Sequence, residues 1–317
     1  MSLDIVSQVH TLWAVELQTD AMESPAIIGG ITSQTIASAT ECRQSPTCGQ
    51  AYPEFLAIYA QKPIADFSSL CIAQALDAAA LTGLKLSGAS NPGLRLYAQK
   101  YEEGSTPASG SSHRRYTVRD GILIPRRLAV GHQSDASIDY SALITWDGTN
   151  DPVTLNDDVA LPSGLDDNER YTLGPITIGG EVLEQVTNFE VDFGIDARST
   201  GAQSSIWDTH SSIRRVMPRL MITGIDATWF KTTRIPLGGR KGTHANTSIY
   251  LRKRDDGGTF IAKTDPVHIK LTGNGVAYAE QIFGASEAED GTVTLAMPLR
   301  FDGTNAPLII DTTSTLP

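Results

Sequence analysis

Two passages of this chain have nearly the same sequence and lie 155 residues apart. WDGTNDPVTL begins at Trp146, and FDGTNAPLII begins at Phe301. Further matches keep the same order at offsets of 150 to 155 residues: YAQKYEEG from Tyr97 with YLRKRDDG from Tyr250, the IGG of Ile28 with that of Ile178, Lys62 with Met217, and His113 with His268. An ordered set of matches at one long offset indicates two tandem copies of one β-rich domain.

Each copy has the size of an independent domain, typically about 100–150 residues, whereas solenoid repeats run roughly 20–50 residues. Residues 161–175 are rich in Pro, Gly and Asp and are predicted to link the copies, with the boundary near Asp166. Residues 1 to about 19 have no evident counterpart in the second copy, so they are expected to form an arm or an added strand. The predicted division is an N-terminal arm at 1–22, a first β domain at 23–165 and a second at 166–317.

Most of the secondary-structure signal is strand. Short alternating or β-branched runs are separated by turn dipeptides such as Asp-Gly and Gly-Gly. The predicted strands are 122–128, 136–146, 190–193, 220–223, 247–251, 267–271 and 292–299.

One helix is predicted, from Asp66 as its N-cap through FSSLCIAQALDAAAL to a stop at Gly83. The matching part of the second copy, from Arg219, has a strand-like pattern. Either the copies differ at this place, or one of the two assignments is wrong.

The charge balance is acidic, with a formal net charge of −11. This argues against a protein that grips a nucleic-acid backbone, which requires a surplus of Lys and Arg. It does not exclude one that lets DNA pass without binding. Acidic and basic pairs are interspersed, which is typical of a solvated surface or of ion pairs across subunit contacts.

No apolar run approaches the roughly 20 residues that a membrane span needs. Asp4 and Glu16 stand where an export signal would be basic and then apolar, so the sequence predicts synthesis in a cytosol. Cys42, Cys48 and Cys71 all belong to the first copy. A disulfide or zinc framework therefore cannot hold the shared fold, and half-buried thiols without a disulfide are expected.

The motifs of the chain predict no catalytic or cofactor site. The histidines form no metal-ligand motif, and the neighbours of His113 (SSHRRY) and His268 (PVHIKL) differ too much for a shared active site. GGRKGT at 238–243 lacks phosphate-loop spacing, and Ser90 lacks the final glycine of a nucleophile elbow. Adjacent carboxylates point to opposite faces of a strand, so they cannot cooperate as an acid and a base. The chain is predicted not to be an enzyme and to use no cofactor.

The most plausible metal site is the repeated DGTN sequence. Asp147, Thr149 and Asp151 alternate as oxygen ligands do at the start of a calcium loop. The second copy has Ala306 in place of Asp151 but keeps Asp-Gly-Thr-Asn. The retained residues are those of a tight turn, so no metal site is predicted.

A duplicated β domain without an active site is typical of a self-assembling protein, because n chains supply 2n equivalent positions in a ring. A closed ring also removes the exposed sheet edges that invite uncontrolled pairing.

Several segments spread over nearly the whole chain resemble the major tail (tail tube) proteins of long-tailed, non-contractile bacteriophages. They are GGITSQTIASATE, AYPEFLAIYAQKPIADFSSLCIAQAL, GILIPRRLAV, YTLGPITIGG, VTNFEVDFGID, HIKLTGNG and FDGTNAPLII. The resemblance implies a mainly β fold with minor α: two tandem β-sandwich or half-barrel domains, each adding strands to a ring-shaped inner β-barrel. It transfers no functional residue.

The same resemblance implies a virion protein that is held in the host cytoplasm before assembly. Chains would form trimeric, pseudo-hexameric rings that stack into the tail tube, with no membrane partner. The implied partners are other copies of the chain, the tape-measure, tail terminator and distal tail proteins, and genomic DNA in passing through the lumen. Residues 84–113 are the expected inter-ring loop.

Two alternatives stay open at this point. One is another tail or baseplate component, such as a distal tail or terminator protein. The other is a tandem carbohydrate-binding module, which would present exposed aromatic side chains on a flat face. Because Phe301 replaces Trp146 in the second copy, this position is predicted to be a packing aromatic shared by both cores.

Overall fold

The computed structural model describes residues 10–19, 22, 24–46, 52–79, 81–86, 93–102, 106–165, 167–201, 205–225, 229, 243–286 and 289–317. In this part of the chain the fold is mainly β, with large antiparallel sheets and one short helix.

The chain up to residue 159 contributes twelve strands and α1 (Ile72–Ala78). The strands are β1 (His10–Leu17), β2 (Ala26–Ile28), β3 (Ile31–Ala37), β4 (Thr40–Pro46), β5 (Pro53–Gln61), β6 (Ile64–Ser69), β7 (Leu84–Lys85), β8 (Leu94–Lys100), β9 (His113–Val118), β10 (Asp120–Gly131), β11 (Ser137–Thr145) and β12 (Val153–Val159).

Ten further strands follow: β13 (Arg170–Ile178), β14 (Glu181–Leu183), β15 (Val186–Asp192), β16 (Ile195–Gly201), β17 (Asp208–Val216), β18 (Arg219–Gly224), β19 (Thr243–Arg254), β20 (His268–Ser286), β21 (Glu289–Pro298) and β22 (Leu308–Ser314). All seven predicted strand regions fall within or overlap strands of the structure, so these predictions are confirmed.

The predicted helix is mostly wrong. Residues 64–69 form strand β6, and the helix begins only after Cys71, which takes the N-cap position instead of Asp66. The reason is visible in the burial of β6, where Ala65, Phe67 and Ser69 alternate with more exposed residues. That alternation is the period of a strand with one buried face. The corresponding region of the second copy, β18, is also a strand.

The strand boundaries themselves repeat. Six strands begin and end 155 residues before a second strand of the same length: β2, β3, β4, β5, β6 and β12 precede β14, β15, β16, β17, β18 and β22 in this way. We refer to β1–β12 as the first repeat and to β13–β22 as the second repeat.

The pairing of the strands repeats as well. In the first repeat, one set has the order β12-β9-β8-β1-β2 and another has β10-β11-β6-β3. The second repeat has the matching sets β22-β20-β19-β13-β14 and β20-β21-β18-β15, in which the long strand β20 corresponds to both β9 and β10. β4 pairs with β5 as a hairpin, and β16 pairs with β17 in the same way.

One sequence match does not correspond in space. Ile28 ends β2, where it pairs with Val15, whereas Ile178 ends β13 and pairs with Glu181. The structural counterpart of Ile28 is Leu183, the last residue of β14, which pairs with Ile176 of β13. The loop between β1 and β2 is longer than the turn between β13 and β14, so the IGG match joins different strands.

Two predicted connecting segments contain strands. Residues 10–17 of the predicted arm form β1, which pairs with β2 and β8 as β13 pairs with β14 and β19. The described part of this segment is therefore an added strand, and it has a counterpart in the second repeat. Residues 170–175 of the predicted linker 161–175 belong to β13. The expected inter-ring loop contains β7 and β8, and its residues 87–92 and 103–105 lie outside the described part. The division into two domains remains a prediction.

A single hydrophobic cluster connects the two repeats. It includes Phe67, Leu128 and Tyr140 of the first repeat and Phe189 and Leu295 of the second. Phe67 and Tyr140 stack with ring centroids 5.2 Å apart.

Candidate assembly surfaces

The two repeats are joined edge to edge in one 13-stranded sheet. β10 of the first repeat pairs antiparallel with β15 of the second over five residues, from Arg127 opposite Asp192 to Gly131 opposite Asn188. The backbone bonds extend beyond the register at both ends: Phe193 N–H donates to the Arg126 carbonyl at 3.1 Å, and His132 N–H donates to the Thr187 carbonyl at 2.6 Å. We call this pairing the internal joint.

The side chains at the internal joint are partly apolar and partly ionic. Leu128 and Val191 face each other across it, and both are fully buried. On the opposite face, Arg127 Nη2 lies 2.6 Å from Glu190 Oε2.

The hairpin β16–β17 crosses the internal joint and lies on the first repeat. The indoles of Trp207 and Trp146 lie 5.6 Å apart, and Trp207 Nε1–H donates to Gln61 Oε1 at 2.9 Å. Trp146 N–H donates to the Asp208 carbonyl at 2.8 Å. Further along the hairpin, Ile213 packs against the hydrophobic core. It lies so close to Gly83 that a Cβ added at Gly83 would be 2.5 Å from Ile213 Cδ1.

The opposite end of each repeat lacks such a partner within the described residues. β3, the counterpart of β15, pairs only with β6, and residues 282–286 of β20, the counterpart of the joined part of β10, pair only with β21. We call these the β3 edge and the β20 end.

Large apolar side chains are exposed around these two free surfaces. Phe283 on the β20 end is 70% exposed, and Phe301, in the turn between β21 and β22, is 62% exposed. Tyr52, directly before β5, is 80% exposed. The β4–β5 hairpin also exposes Phe55, Leu56, Ile58 and Tyr59. Such a concentration of exposed apolar groups is typical of an interaction surface.

A cleft of about 420 Å³ runs beside the β3 edge. It is lined by Ile36 and Ala37 of that edge together with Pro63, Val153 and Trp207, among others. The cleft thus continues the β3 edge with a mainly apolar wall.

The two repeated histidines are structural. His113 and His268 are buried, and each accepts a hydrogen bond at Nδ1, from Lys100 N–H at 3.0 Å and from Lys253 N–H at 3.1 Å. Burial, together with the charges of His10 and Lys100, lowers the pKa of His113. A matched backbone contact explains why the imidazole is present in both repeats while its neighbours differ.

The DGTN sequences form matching turns, as predicted. Asp147 Oδ1 accepts from the N–H groups of Thr149 at 2.8 Å and Asn150 at 2.7 Å. Asp302 holds Thr304 and Asn305 in the same way, at 2.9 and 2.7 Å.

These hydrogen bonds, led by that from the Asn305 side chain, lower the pKa of Asp302 to about 2. In the described ranges no cluster of three or more His, Cys, Asp or Glu side chains is placed to hold a metal.

Two of the three cysteines, Cys42 and Cys71, lie in the described part of the chain. Cys42 is exposed and Cys71 is buried, and neither forms a disulfide within the described part. Burial raises the pKa of the Cys71 thiol to about 11, which keeps it protonated. Cys48, Ser90 and all of GGRKGT except Thr243 lie outside the described residues.

The prediction that Trp146 and Phe301 are packing aromatics of two equivalent cores is wrong. Trp146 is only partly buried and contacts Trp207, whereas Phe301 is largely exposed. The Trp146 position therefore belongs to a contact between the two repeats. Within one chain only the first repeat makes this contact, through Trp146 and Trp207. A paired Trp146 and Trp207 also do not form the open platform of a sugar-binding face.

Sequence reasoning missed Tyr52 and Phe283, the most exposed aromatics at the free surfaces. A signal was present: Tyr52 stands 155 residues before Trp207, and Phe283 stands 155 residues after Leu128. Aligning the repeats at this single offset pairs each exposed side chain with one that contacts the other repeat inside the chain.

Comparison of the chain with protein-family models gives no match. Comparison with curated proteins gives no significant similarity. No helix in the described ranges is long and apolar enough to cross a membrane.

Proposed function

We propose that this chain is a structural protein of a bacteriophage tail tube, which joins head to tail into closed rings that stack into the tube. The observation that carries the proposal is the repeat relationship of the surfaces. The β20 end and the β3 edge, both free in one chain, are the counterparts of the β10 and β15 surfaces that are joined inside it.

The internal joint supplies the register of the joint between chains. Shifting four of its five residue pairs by one repeat places Phe283, Gly284, Ala285 and Ser286 of one chain opposite Ile36, Thr35, Gln34 and Ser33 of the next. At the fifth position the counterpart of Arg127 is Gln281, because β20 has one extra residue between Gln281 and Gly284. Phe193 N–H and the Thr187 carbonyl face β10, so Phe189 and Val191, at the alternate positions between them, face β10 with their backbone groups as well. Their counterparts in β3 are Gln34 and Ile36, whose backbone groups are therefore directed towards the free edge.

The side chains fit this register. Leu128 is fully buried where the joint is made, while its counterpart Phe283 is 70% exposed where it is not. In the proposed joint Phe283 lies opposite Ile36, whose side chain lines the 420 Å³ cleft. Burial of an aromatic side chain there is favourable by roughly 1.5–3 kcal/mol before the costs of association.

A contact between two different surfaces of the same chain is heterologous, so it produces a ring where the rotation closes and a helical filament where it does not. Two repeats per chain make three chains equivalent to six positions, in agreement with the trimeric, pseudo-hexameric ring that the sequence resemblance implies. Closure would also pair both free sheet edges, which are otherwise a liability for aggregation.

The charge of the chain supports passage of DNA through the ring. A net charge of −11 disfavours adhesion of a phosphate backbone. Two arginines on the polar face of the long sheet are paired with glutamates, Arg127 with Glu190 and Arg219 with Glu280. In a tail, the proposed further partners are the tape-measure, tail terminator and distal tail proteins.

Negative-stain microscopy of the concentrated protein tests this proposal. We expect rings with a central hole and threefold averages of sixfold character, and stacked tubes. Gln34→Pro removes the backbone donor at the β3 edge and should abolish the rings, whereas Gln34→Ala keeps that donor and should retain them. Monomers at every concentration, or unchanged rings of the proline variant, would contradict the proposed joint.

A further inference from the structure

We propose that the β4–β5 hairpin of each chain clasps the next chain, with Tyr52 packed against Phe301 of the partner subunit. This inference rests on the proposed ring assembly and deepens it, because it identifies a second contact beyond the sheet edge. The surface involved is the apolar hairpin, and the occupant of the facing surface is a second copy of this chain.

The proposed contact between chains is based on a contact that the two repeats make inside the single chain. The β16–β17 hairpin of the second repeat reaches over the first repeat, where Trp207 and Trp146 lie 5.6 Å apart. Their counterparts, 155 residues before Trp207 and after Trp146, are Tyr52 and Phe301. Both positions are aromatic in both repeats, although the residue types differ. Tyr52 and Phe301 are exposed in the single chain.

The backbone supports the same arrangement. Trp146 N–H donates to the carbonyl of Asp208, the first residue of β17, at 2.8 Å. The counterpart is a bond from the Phe301 N–H of the partner subunit to the carbonyl of Pro53, the first residue of β5. The aromatic contact and the hydrogen bond together would hold the base of the hairpin against the next chain.

The composition of the two hairpins explains why one needs a partner chain. Positions 210–215 of β17 read HSSIRR, while the matching positions 55–60 of β5 read FLAIYA. Ile213 faces the core of the first repeat, and its counterpart Ile58 lies on the same face of the hairpin as Leu56. Leu56 is 64% exposed and Ile58 is also exposed, so this face is apolar and uncovered in the single chain.

Cysteine crosslinking tests the clasp. In a Cys42→Ser, Cys48→Ser background, the double variant Tyr52→Cys, Phe301→Cys is treated with a mild oxidant or a short bismaleimide. We expect covalent dimers and a largest species of three chains on a non-reducing denaturing gel. Each single variant should remain monomeric on that gel.

The internal contact provides a matched control. Trp146→Cys with Trp207→Cys in the same background should crosslink within one chain, changing mobility without adding mass. In sedimentation, Tyr52→Ala should weaken self-association roughly tenfold or more, because central aromatic side chains dominate interfaces.

The outcomes distinguish a failure of the proposed hairpin contact (the clasp) from a failure of the proposed tube function. Rings of the Tyr52→Cys, Phe301→Cys variant that do not crosslink would overturn the clasp and leave the proposed function standing. Crosslinked oligomers that never form rings or tubes would support the clasp and overturn the tube. A chain that neither crosslinks nor assembles would overturn both.

Discussion

Residues at equivalent positions of the two repeats have different environments, and the differences mark the surfaces where we propose that chains join. Leu128 is fully buried and Phe283 is exposed; Trp146 and Trp207 are in contact, while Phe301 and Tyr52 are not. A residue in the middle of either repeat shows no such contrast, as His113 and His268 illustrate. The contrast arises because each repeat has a neighbour on one side only in the single chain.

Buried His113 gives a pH-dependent prediction at this scale. The pKa of His113 is lowered in the folded chain, chiefly by burial, from an unfolded value of about 6.5. Folding therefore favours the neutral ring, so this contribution to the free energy of unfolding is present above about pH 6.5 and is lost as the pH falls through the folded pKa. Urea unfolding between pH 7.5 and 5 should show the loss.

His113→Gln is the variant that isolates this effect, because the amide oxygen can still accept from Lys100 N–H but does not titrate. We expect a weaker dependence of its stability on pH over that range. His113→Ala, which leaves the buried N–H without an acceptor, should cost roughly 1–3 kcal/mol at pH 7.5. Equal pH dependence of the wild type and the glutamine variant would contradict this assignment.

At residue scale the sequence predicted local chemistry and missed interfaces. The DGTN turns were predictable because their hydrogen bonds lie within four consecutive residues. The role of Trp146 was not, because its partner Trp207 is distant in sequence and its repeat counterpart lacks that partner. Local motifs carry their own contacts, whereas a side chain at a joint depends on what lies opposite.

Among the elements, strands were predicted well because alternation of apolar and polar residues is a direct consequence of the pleat. The helix prediction extended into β6 because Phe67, Leu70 and Cys71 also fit a helical stripe. Burial alternates through Ile64–Ser69, so packing against β3 and β11 decides the conformation there. Short apolar runs do not separate the two periods on their own.

The turn into each hairpin provides a matched prediction for elements. Gly194 joins β15 to β16 with φ +59°, and a Cβ there would lie 2.0 Å from the Met217 carbonyl oxygen. The counterpart in the first repeat is Ala39, with φ 41°. Gly194→Ala should therefore destabilise the chain by roughly 2 kcal/mol or more, because it adds both a clash and a left-handed alanine.

Ala39→Gly is the reciprocal variant. It relieves roughly 1–2 kcal/mol of left-handed strain and gives back part of this through the greater freedom of glycine in the unfolded chain, so a small net gain is expected. Thermal or urea unfolding of both variants checks the pair. A destabilising Ala39→Gly, or a neutral Gly194→Ala, would show that the two turns are not equivalent.

For the whole molecule, the duplication predicted two similar sets of strands but not their fusion into one sheet. The fusion depends on β10 pairing with β15, and nothing in either segment alone specifies a partner more than 50 residues away. Once that pairing is known, the repeat offset leads to the proposed partner of each free surface. The inference from sequence to the proposed assembly therefore depends on one long-range contact.

The proposed head-to-tail arrangement makes a prediction that no symmetric dimer shares. Gln34→Pro blocks the β3 edge but leaves the β20 end intact, and Ala285→Pro, at the matching place of the β20 end, does the reverse. In a solution of either variant alone, every copy has one intact surface and one blocked surface. The intact surface finds only blocked partners, so each variant should be monomeric in sedimentation. Mixed in equal amounts, the β20 end of Gln34→Pro can pair with the β3 edge of Ala285→Pro. The resulting heterodimer presents only blocked surfaces, so growth should stop at the mass of two chains. Higher oligomers in the mixture, or dimers of either variant alone, would mean that the chains associate through other surfaces.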